Sequence, residues 1–273
     1  MNIGIIGQGF VGNAIYQKFK LFYKVFTYDI ISTKCNSSLS EIIENCKIIF
    51  ICIPTPMNED GSCNVNNVRD VLKILNKKSK AIIVNKSTVV PGTTEIFEKK
   101  FQNLKIVFNP EFLTERNAVE DFNNQDRIIL GGPTSATTLI KQIYSTVFPK
   151  AYVIKTGSKH AEMIKYFTNS FLATKVSFAN EMYSLCSALD LDYDKIVEYA
   201  ILDNRLGNSH WAVPGPDGDF GFGGHCFPKD LSAIINLSKK LNTTNNLIKS
   251  ALTTNDKVRK NRDWERMKGR AII

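Results

Sequence analysis

The 273-residue sequence has only three histidines, and none sits at the spacing that holds zinc in small metal-binding modules. Its six cysteines, at positions 35, 46, 52, 63, 186 and 226, form no Cys-x-x-Cys pair. This excludes a zinc ribbon or a thioredoxin-type redox motif and leaves free thiols as the simplest reading. No apolar run approaches the roughly 20 residues that cross a bilayer. The chain opens on the strand-like MNIGIIG, with no basic n-region and no signal-peptide cleavage site. Internal repeats and low-complexity tracts are also missing. A cytoplasmic, metal-free protein without a membrane segment is expected.

Charge of one sign is in excess. The formal net charge is +9, and near the C-terminus Lys257, Arg259, Lys260, Arg262, Arg266, Lys268 and Arg270 face only Asp263 and Glu265. A solvated helix face is the default reading of such a run. Nucleic-acid binding would call for an aromatic-interleaved platform or a docking motif, and neither is present. A positive field also suits small anionic ligands such as pyrophosphates.

Hydrophobic residues make up 43% of the chain and charged ones 22%, proportions that support an ordinary folded core. Through about residue 155, short β-branched runs alternate with amphipathic stretches. Strands are expected at Asn2–Ile6, Val25–Tyr28, Ile48–Ile53, Ala81–Val84, Ile106–Phe108, Ile128–Leu130 and Tyr152–Ile154. Between them Val68, Val71, Leu72 and Leu75 keep helical spacing, as do Leu139, Ile140, Ile143 and Val147. The pattern implies an α/β fold, a doubly wound parallel sheet of Rossmann type covered by helices on both faces. The character then changes. From Ser158 to Leu189 there is no proline or glycine, and Ile164, Phe167, Phe171 and Leu172 recur at helical spacing. One long helix should therefore open an α-helical second domain. Helices at Asp194–Ala200, Asp230–Leu241 and Leu247–Arg266 should follow, with a Gly- and Pro-rich loop over 204–228.

Two motifs carry chemistry. Gly7-Gln8-Gly9-Phe10-Val11-Gly12 follows the first strand and opens a helix with Ala14, Ile15 and Phe19 on one face, and Asp29 closes the next strand. In that arrangement glycines let the backbone reach a pyrophosphate, and the acid binds ribose hydroxyls. Asp29 favours NAD over NADP, because a 2′-phosphate would be repelled there; Lys34, also counted among the cofactor contacts, lies close enough to work against that preference. The second motif is Gly221-Phe222-Gly223-Gly224-His225-Cys226-Phe227-Pro228-Lys229-Asp230. Pro228 followed by Lys-Asp-Leu reads as a first helical turn. Cys226 would then stand at a helix N-terminus beside an ammonium, and both favour the thiolate.

Taken together, the chain resembles the UDP-glucose/GDP-mannose dehydrogenase family. The residues that carry the resemblance are GIIGQGFVG at 4–12, Asp29, Pro54-Thr55-Pro56, Lys86-Ser87-Thr88, Asn109-Pro110-Glu111-Phe112-Leu113 with Glu115, Lys165 and Asn169, Asn204-Arg205, and GFGGHCFPKD. The resemblance implies a four-electron oxidation of a sugar C6 hydroxyl to a carboxylate with two NAD⁺. Cys226 would form a thiohemiacetal and then a thioester. Lys165 and Asn169, four apart on one helix face, would stabilise the C6 oxyanion. Asp230 would position or deprotonate a water, with Glu111 as a second acid/base and Thr88 holding the water. Read alone, Lys165 is an ordinary surface lysine and Asp230 a dipole-favoured residue of a first turn.

By the same resemblance, Thr55, Thr88, Glu115 and Lys229 contact the cofactor together with Gly7, Gly9, Phe10, Val11 and Gly12. Glu111, Phe112, Leu113, Lys165, Asn169 and Gly223 meet the substrate. The loop 208–221, with Trp211, Pro214 and Gly215, wraps the sugar and its diphosphate, and Arg205 anchors the anion. A homodimer through the long helix is implied too. UDP-glucose is the expected substrate, although His225 stands where that branch commonly has serine and is similar to the N-acetylmannosamine branch. GDP-mannose or UDP-N-acetylhexosamine oxidation stays open, as does an NAD- or partner-binding relative without turnover. The expected domains are a cofactor domain over 1–156, a helical central domain over 157–266, and at 267–273 the first strand of a further domain that is absent.

Overall fold

The seven expected strands all form. The computed structural model describes residues 1–273, with β1 (Asn2–Ile6), β2 (Lys24–Tyr28), β3 (Ile48–Ile51), β4 (Ile82–Asn85), β5 (Lys105–Phe108), β6 (Arg127–Gly131) and β7 (Tyr152–Thr156). The helices are α1 (Phe10–Phe19), α2 (Leu39–Asn45), α3 (Asn66–Lys78), α4 (Thr93–Lys100), α5 (Ala118–Asn123), α6 (Thr134–Val147), α7 (Ser158–Ala188), α8 (Tyr193–Ala200), α9 (Phe227–Lys240) and α10 (Asn246–Val258). Two compact units result. The first comprises 1–55 and 65–165; the second comprises 56–64 and 166–273.

In the first unit the strands form one sheet in the order β2-β1-β3-β4-β5-β6-β7. Every pairing is parallel except β5 with β6, which meet antiparallel at Phe108 and Gly131. The β3 and β4 runs IIFI and IIVN are apolar with little alternation, as strands covered on both faces must be. One face buries Ile15 and Phe19 of α1, Phe122 of α5 and Ile140 and Tyr144 of α6; the other buries Ile42, Leu72 and Phe97 of α2, α3 and α4. Each such side chain contributes roughly 1.5–3 kcal/mol by leaving water. The order reverses at β1, and the crevice at such a switch point is where doubly wound sheets bind ligands.

The second unit is helical, with cores around Ala173, Phe222, Leu231 and Ala251 and around Ala179, Cys186, Tyr193 and Val213. The segment Pro56–Asn64 joins it: Met57 bridges to Cys63 and to Ile272, and Asn236 donates to the Asp60 carbonyl. Residues 263–273 form a 3-10 turn and isolated bridges. One expectation fails here. The helix anticipated over 247–266 stops at Val258, because Arg259 turns to an extended ψ of 122° and 263–266 is a separate 3-10 turn. The break follows from the fate of Arg259, which is buried among carboxylates rather than spread over a solvated face.

Candidate functional site

In the first unit the chain leaves β1 through Gly7, whose φ of +95° lies in the left-handed region that favours glycine. A Cβ there would overlap the Cys52 carbonyl, and one on Gly12 would overlap the Gly7 carbonyl, so the turn and the first turn of α1 lie backbone on backbone. Gly9 is different. Nothing lies within 4 Å of where its Cβ would be. It is also the N-cap of α1 and supplies no side-chain cap. The start of α1 thus has room beside its positive dipole end, which is how an anion is received. Asp29 stands against this turn, its Oδ2 accepting from the Gln8 amide at 2.6 Å and its Oδ1 from Ile31 at 2.9 Å. Cys35 fixes that strand end, accepting from the Asp29 amide at 3.0 Å and donating to its carbonyl at 3.1 Å. Sequence reading treated Cys35 as an incidental thiol; no local signal marked it. Lys34 is exposed on a 3-10 turn.

Phe10 and Glu115, both expected at the cofactor, line one cavity of about 340 Å³ with Asn13, Arg116 and Asn117. Thr55 donates to the Thr88 carbonyl at 2.7 Å and is buried. The glycine turn, the helix start without a side-chain cap, the acid just after β2 and this cavity suit a dinucleotide.

The first unit also buries a cluster of charge. Lys86, just past β4, donates to Asn109 Oδ1 at 3.2 Å and to the Pro110 carbonyl at 3.4 Å. The Tyr144 hydroxyl donates to the same Asn109 oxygen at 2.5 Å, while Asn109 donates to the Ile129 carbonyl. Lys165 donates to the Glu111 carbonyl, and its ammonium lies 5.2 Å from the Phe112 ring centre. The Glu111 carboxylate accepts from the Leu113 amide. Burial pushes the Glu111 carboxyl up, and the ammonium groups of Lys86 and Lys165 offset this only in part. Burial pulls Lys86 down, with Glu111 opposing. Lys165 is 5% exposed, so the surface-lysine reading is wrong. Lys86 and Asn109 were visible as motif letters, but only the fold shows that they support Glu111.

In the second unit Cys226 is the N-cap of α9, with Pro228 in the first turn. Lys229 Nζ meets Asp230 Oδ1 at 2.5 Å, and Asn169 of α7 donates to Asp230 Oδ2 at 2.6 Å. Asp230 is 1% exposed, which removes the reading of a solvated first-turn acid. Burial alone would lower Lys229. The Asp230 carboxylate and the thiols of Cys63 and Cys226 outweigh it and push the ammonium up to about 12. Cys63 was assigned no role from sequence, yet it shares this ammonium.

Five expected substrate residues belong to the loop between α8 and α9. Trp211 donates to the Gly207 carbonyl at 2.8 Å and lies under the Lys175 ammonium, 4.4 Å from its ring centre. Pro214 follows a cis peptide bond, and the Gly215 amide accepts its place in a turn by donating to the Asp219 carbonyl at 2.8 Å. Arg205 is not gathered with the others. It is exposed and paired with Asp203 at 2.5 Å. Gly223 packs against Arg259 so closely that a Cβ would overlap the guanidinium.

Residues 29–148 match the NAD binding domain of the UDP-glucose/GDP-mannose dehydrogenase family, and residues 159–257 match its central domain. UDP-glucose 6-dehydrogenase AglM of Haloferax volcanii is 32% identical over 94% of this chain and 70% of its own length. UDP-glucose 6-dehydrogenase TuaD of Bacillus subtilis is 35% identical over 78% of this chain and 47% of its own. A UDP-glucose 6-dehydrogenase of Pseudomonas aeruginosa is 37% identical over 73% and 46%. The chain thus spans about half the length of the last two. Among solved structures, a UDP-glucose dehydrogenase from Pyrobaculum islandicum superposes with a TM-score of 0.84 at 28% identity, covering 94% of this chain and 68% of that one.

Proposed function

Because the chain belongs to the UDP-glucose/GDP-mannose dehydrogenase family, whose NAD-binding domain forms its first unit, we propose that it oxidises UDP-glucose at C6 to UDP-glucuronate. The observation that carries this reading is Cys226 at the N-terminus of α9, with Lys229, Asp230 and Asn169 joined in one buried network behind it. NAD supplies the hydride acceptor for each of the two oxidations. The protein supplies the rest.

Cys226, favoured as thiolate by the helix dipole and the Lys229 ammonium, adds to the C6 aldehyde and holds it as a thiohemiacetal. The Cys226 sulfur is then acylated as a thioester, and water releases the carboxylate and the thiol. Lys165 and Asn169, one turn apart on α7, supply the donors for the oxyanion. Asp230 and Glu111 are the acid/base groups for the water, with Thr88 helping to hold it. Glu111 suits proton transfer because burial raises its pKa above the ordinary carboxylate value. Gly7, Gly9, Phe10, Val11, Gly12, Asp29, Lys34, Thr55, Thr88, Glu115 and Lys229 form the cofactor side. Phe112, Leu113, Arg205, Trp211, Pro214, Gly215 and Gly223 form the substrate side. Arg205 reaches a substrate only if its Asp203 pair opens or another protomer brings it to a site.

We also propose a homodimer through α7, whose Phe167, Phe171 and Phe178 are 70%, 62% and 52% exposed. Exposed aromatic rows of this kind suit an interface.

His225 favours a second reading, a substrate bearing a 2-acetamido group. The test is purified protein with UDP-glucose and excess NAD⁺, counting NADH per sugar, with UDP-N-acetylhexosamine and GDP-mannose in parallel. Two equivalents with glucuronate as product support the reading. Preference for another sugar corrects the substrate. No turnover with NAD binding retained leaves a binding module and overturns the proposal.

A further inference from the structure

The loop before Cys226 makes few backbone bonds of its own, and side chains from elsewhere in the second unit take its amides instead. The Gly221 amide donates to Asn180 Oδ1 of α7 at 3.0 Å, and the Phe222 amide donates to Asn255 Oδ1 of α10 at 2.6 Å. The Gly224 amide donates to both oxygens of Asp263 at 3.1 Å. Arg259 joins these anchors. Its side chain is 1% exposed, yet it is ringed by acids: Asp217 Oδ2 lies 2.6 Å from Nη2, Asp263 Oδ1 3.5 Å from Nη2, and Asp219 Oδ2 3.8 Å from Nε. It also donates through Nε to the Asn261 carbonyl at 2.8 Å and through Nη1 to the Phe220 carbonyl at 3.4 Å.

The guanidinium therefore bonds directly to 217–220, at one end of the loop that feeds Cys226, and reaches the other end through Asp263, which takes the Gly224 amide. It packs closely against Gly223, three residues before the thiol, where any side chain would overlap it. Such a cluster is an unusual use of an arginine in a run of surface charges. A buried guanidinium is costly unless its donors are used, and here the planar fork spends them on separate acceptors. The carboxylates gain little from one another. They gain from a cation that ties 217–220 to 263, so that the backbone between them has one path.

From this geometry we infer that Arg259 is a positioning residue for the Cys226 thiol. Its carboxylate clamp sets the direction in which the loop delivers Cys226 to the N-terminus of α9. A thiol held on the helix axis keeps its stabilisation by the dipole and by Lys229; one on a loosened loop loses part of it, since the dipole effect fades within a turn. The inference rests on the reading of Cys226 as nucleophile but is tested without turnover.

The experiment is the pH dependence of Cys226 alkylation by iodoacetamide, followed on the Cys226 peptide by mass spectrometry so that the other thiols do not interfere. Arg259→Met, Arg259→Lys and Asp263→Asn are compared with the parent, alongside circular dichroism and NAD binding. For Arg259→Met the alkylation midpoint should rise by about one pH unit, with NAD affinity unchanged, because a displaced thiol loses its cationic surroundings. Arg259→Lys, which restores charge without the fork, should recover part of the shift, and Asp263→Asn should move the midpoint the same way. A folded Arg259→Met with the parent midpoint overturns the inference. If Arg259→Met does not fold, a parent midpoint in Asp263→Asn overturns it. Failure of the nucleophile reading shows separately, as a Cys226→Ser variant that still makes product.

Discussion

Asn169 and Asp230 lie 61 residues apart in the chain, and the amide of one donates to the carboxylate of the other at 2.6 Å. The second Asp230 oxygen takes the Lys229 ammonium at 2.5 Å, so one buried acid is satisfied from two elements, α7 and α9. Removing it strands a buried cation. Asp230→Ala should destabilise the second unit by about 3–5 kcal/mol, the cost of breaking one side of a buried pair. Asp230→Asn, which keeps a bond to Asn169, should cost less. Urea unfolding reads both; a loss under about 1 kcal/mol for the alanine would mean that the pair is solvated.

Alkaline stability follows from the same pair. Lys229 titrates near 12 in the folded chain against an ordinary 10.5, so its folded pKa is the higher one. The stability it contributes is fully present below 10.5 and is lost as pH rises through about 12. Thermal melts between those pH values should fall more steeply for the parent than for Lys229→Met. Parallel slopes would remove Lys229 as the titrating group.

The last two glycines of the nucleotide turn separate folding from binding. Gly9→Ala adds a methyl where nothing lies within 4 Å, so the melting temperature without cofactor should hold while NAD affinity falls about tenfold or more. Gly12→Ala meets the Gly7 carbonyl and should cost about 1–3 kcal/mol before any ligand is added. Calorimetry with and without NAD distinguishes them, and parent-like NAD affinity in Gly9→Ala would show that the anion sits elsewhere.

Cys226→Ser should keep NAD binding and the fold but stop formation of the carboxylate, because an alkoxide ester neither forms nor hydrolyses as the thioester does. Product analysis by mass spectrometry decides it. Glucuronate at the parent rate would end the nucleophile assignment.

Phe171→Asp places a charge in the exposed aromatic row of α7 and should shift a dimer to monomer in sedimentation velocity, with little change in the melting curve of a single subunit. An unchanged sedimentation coefficient at the dimer value would move the interface away from this row.

The strands were legible because their signal is local. A short β-branched run such as IIFI reads as a covered strand from its own length and residue types, and its neighbours in the sheet need not be known. The glycine turn was legible for the same reason: strand, turn, helix and acid follow one another within 29 residues. The long helix was legible from the lack of proline and glycine, and its observed span, Ser158–Ala188, ends one residue short of the expected one. The sequence overextends helix α10 because helical periodicity continues past Val258, while the side chain that ends the helix, Arg259, is held by Asp217 and Asp219, some 40 residues earlier. Lys165 and Asp230 look like surface residues on their own helices, and only the packing of other segments over them buries both.

The sequence by itself determined the α/β fold, the position of the dinucleotide turn and the placement of Cys226 at a helix start, since each depends on residues within a turn or two. Only the tertiary structure decided which charges are buried and with whom: Lys86 behind Glu111, Asn169 and Lys229 on Asp230, and Arg259 among three aspartates. The physical reason is that burial of a charge is a property of distant segments meeting. A lysine or arginine reads the same in sequence whether water or a carboxylate lies beyond it.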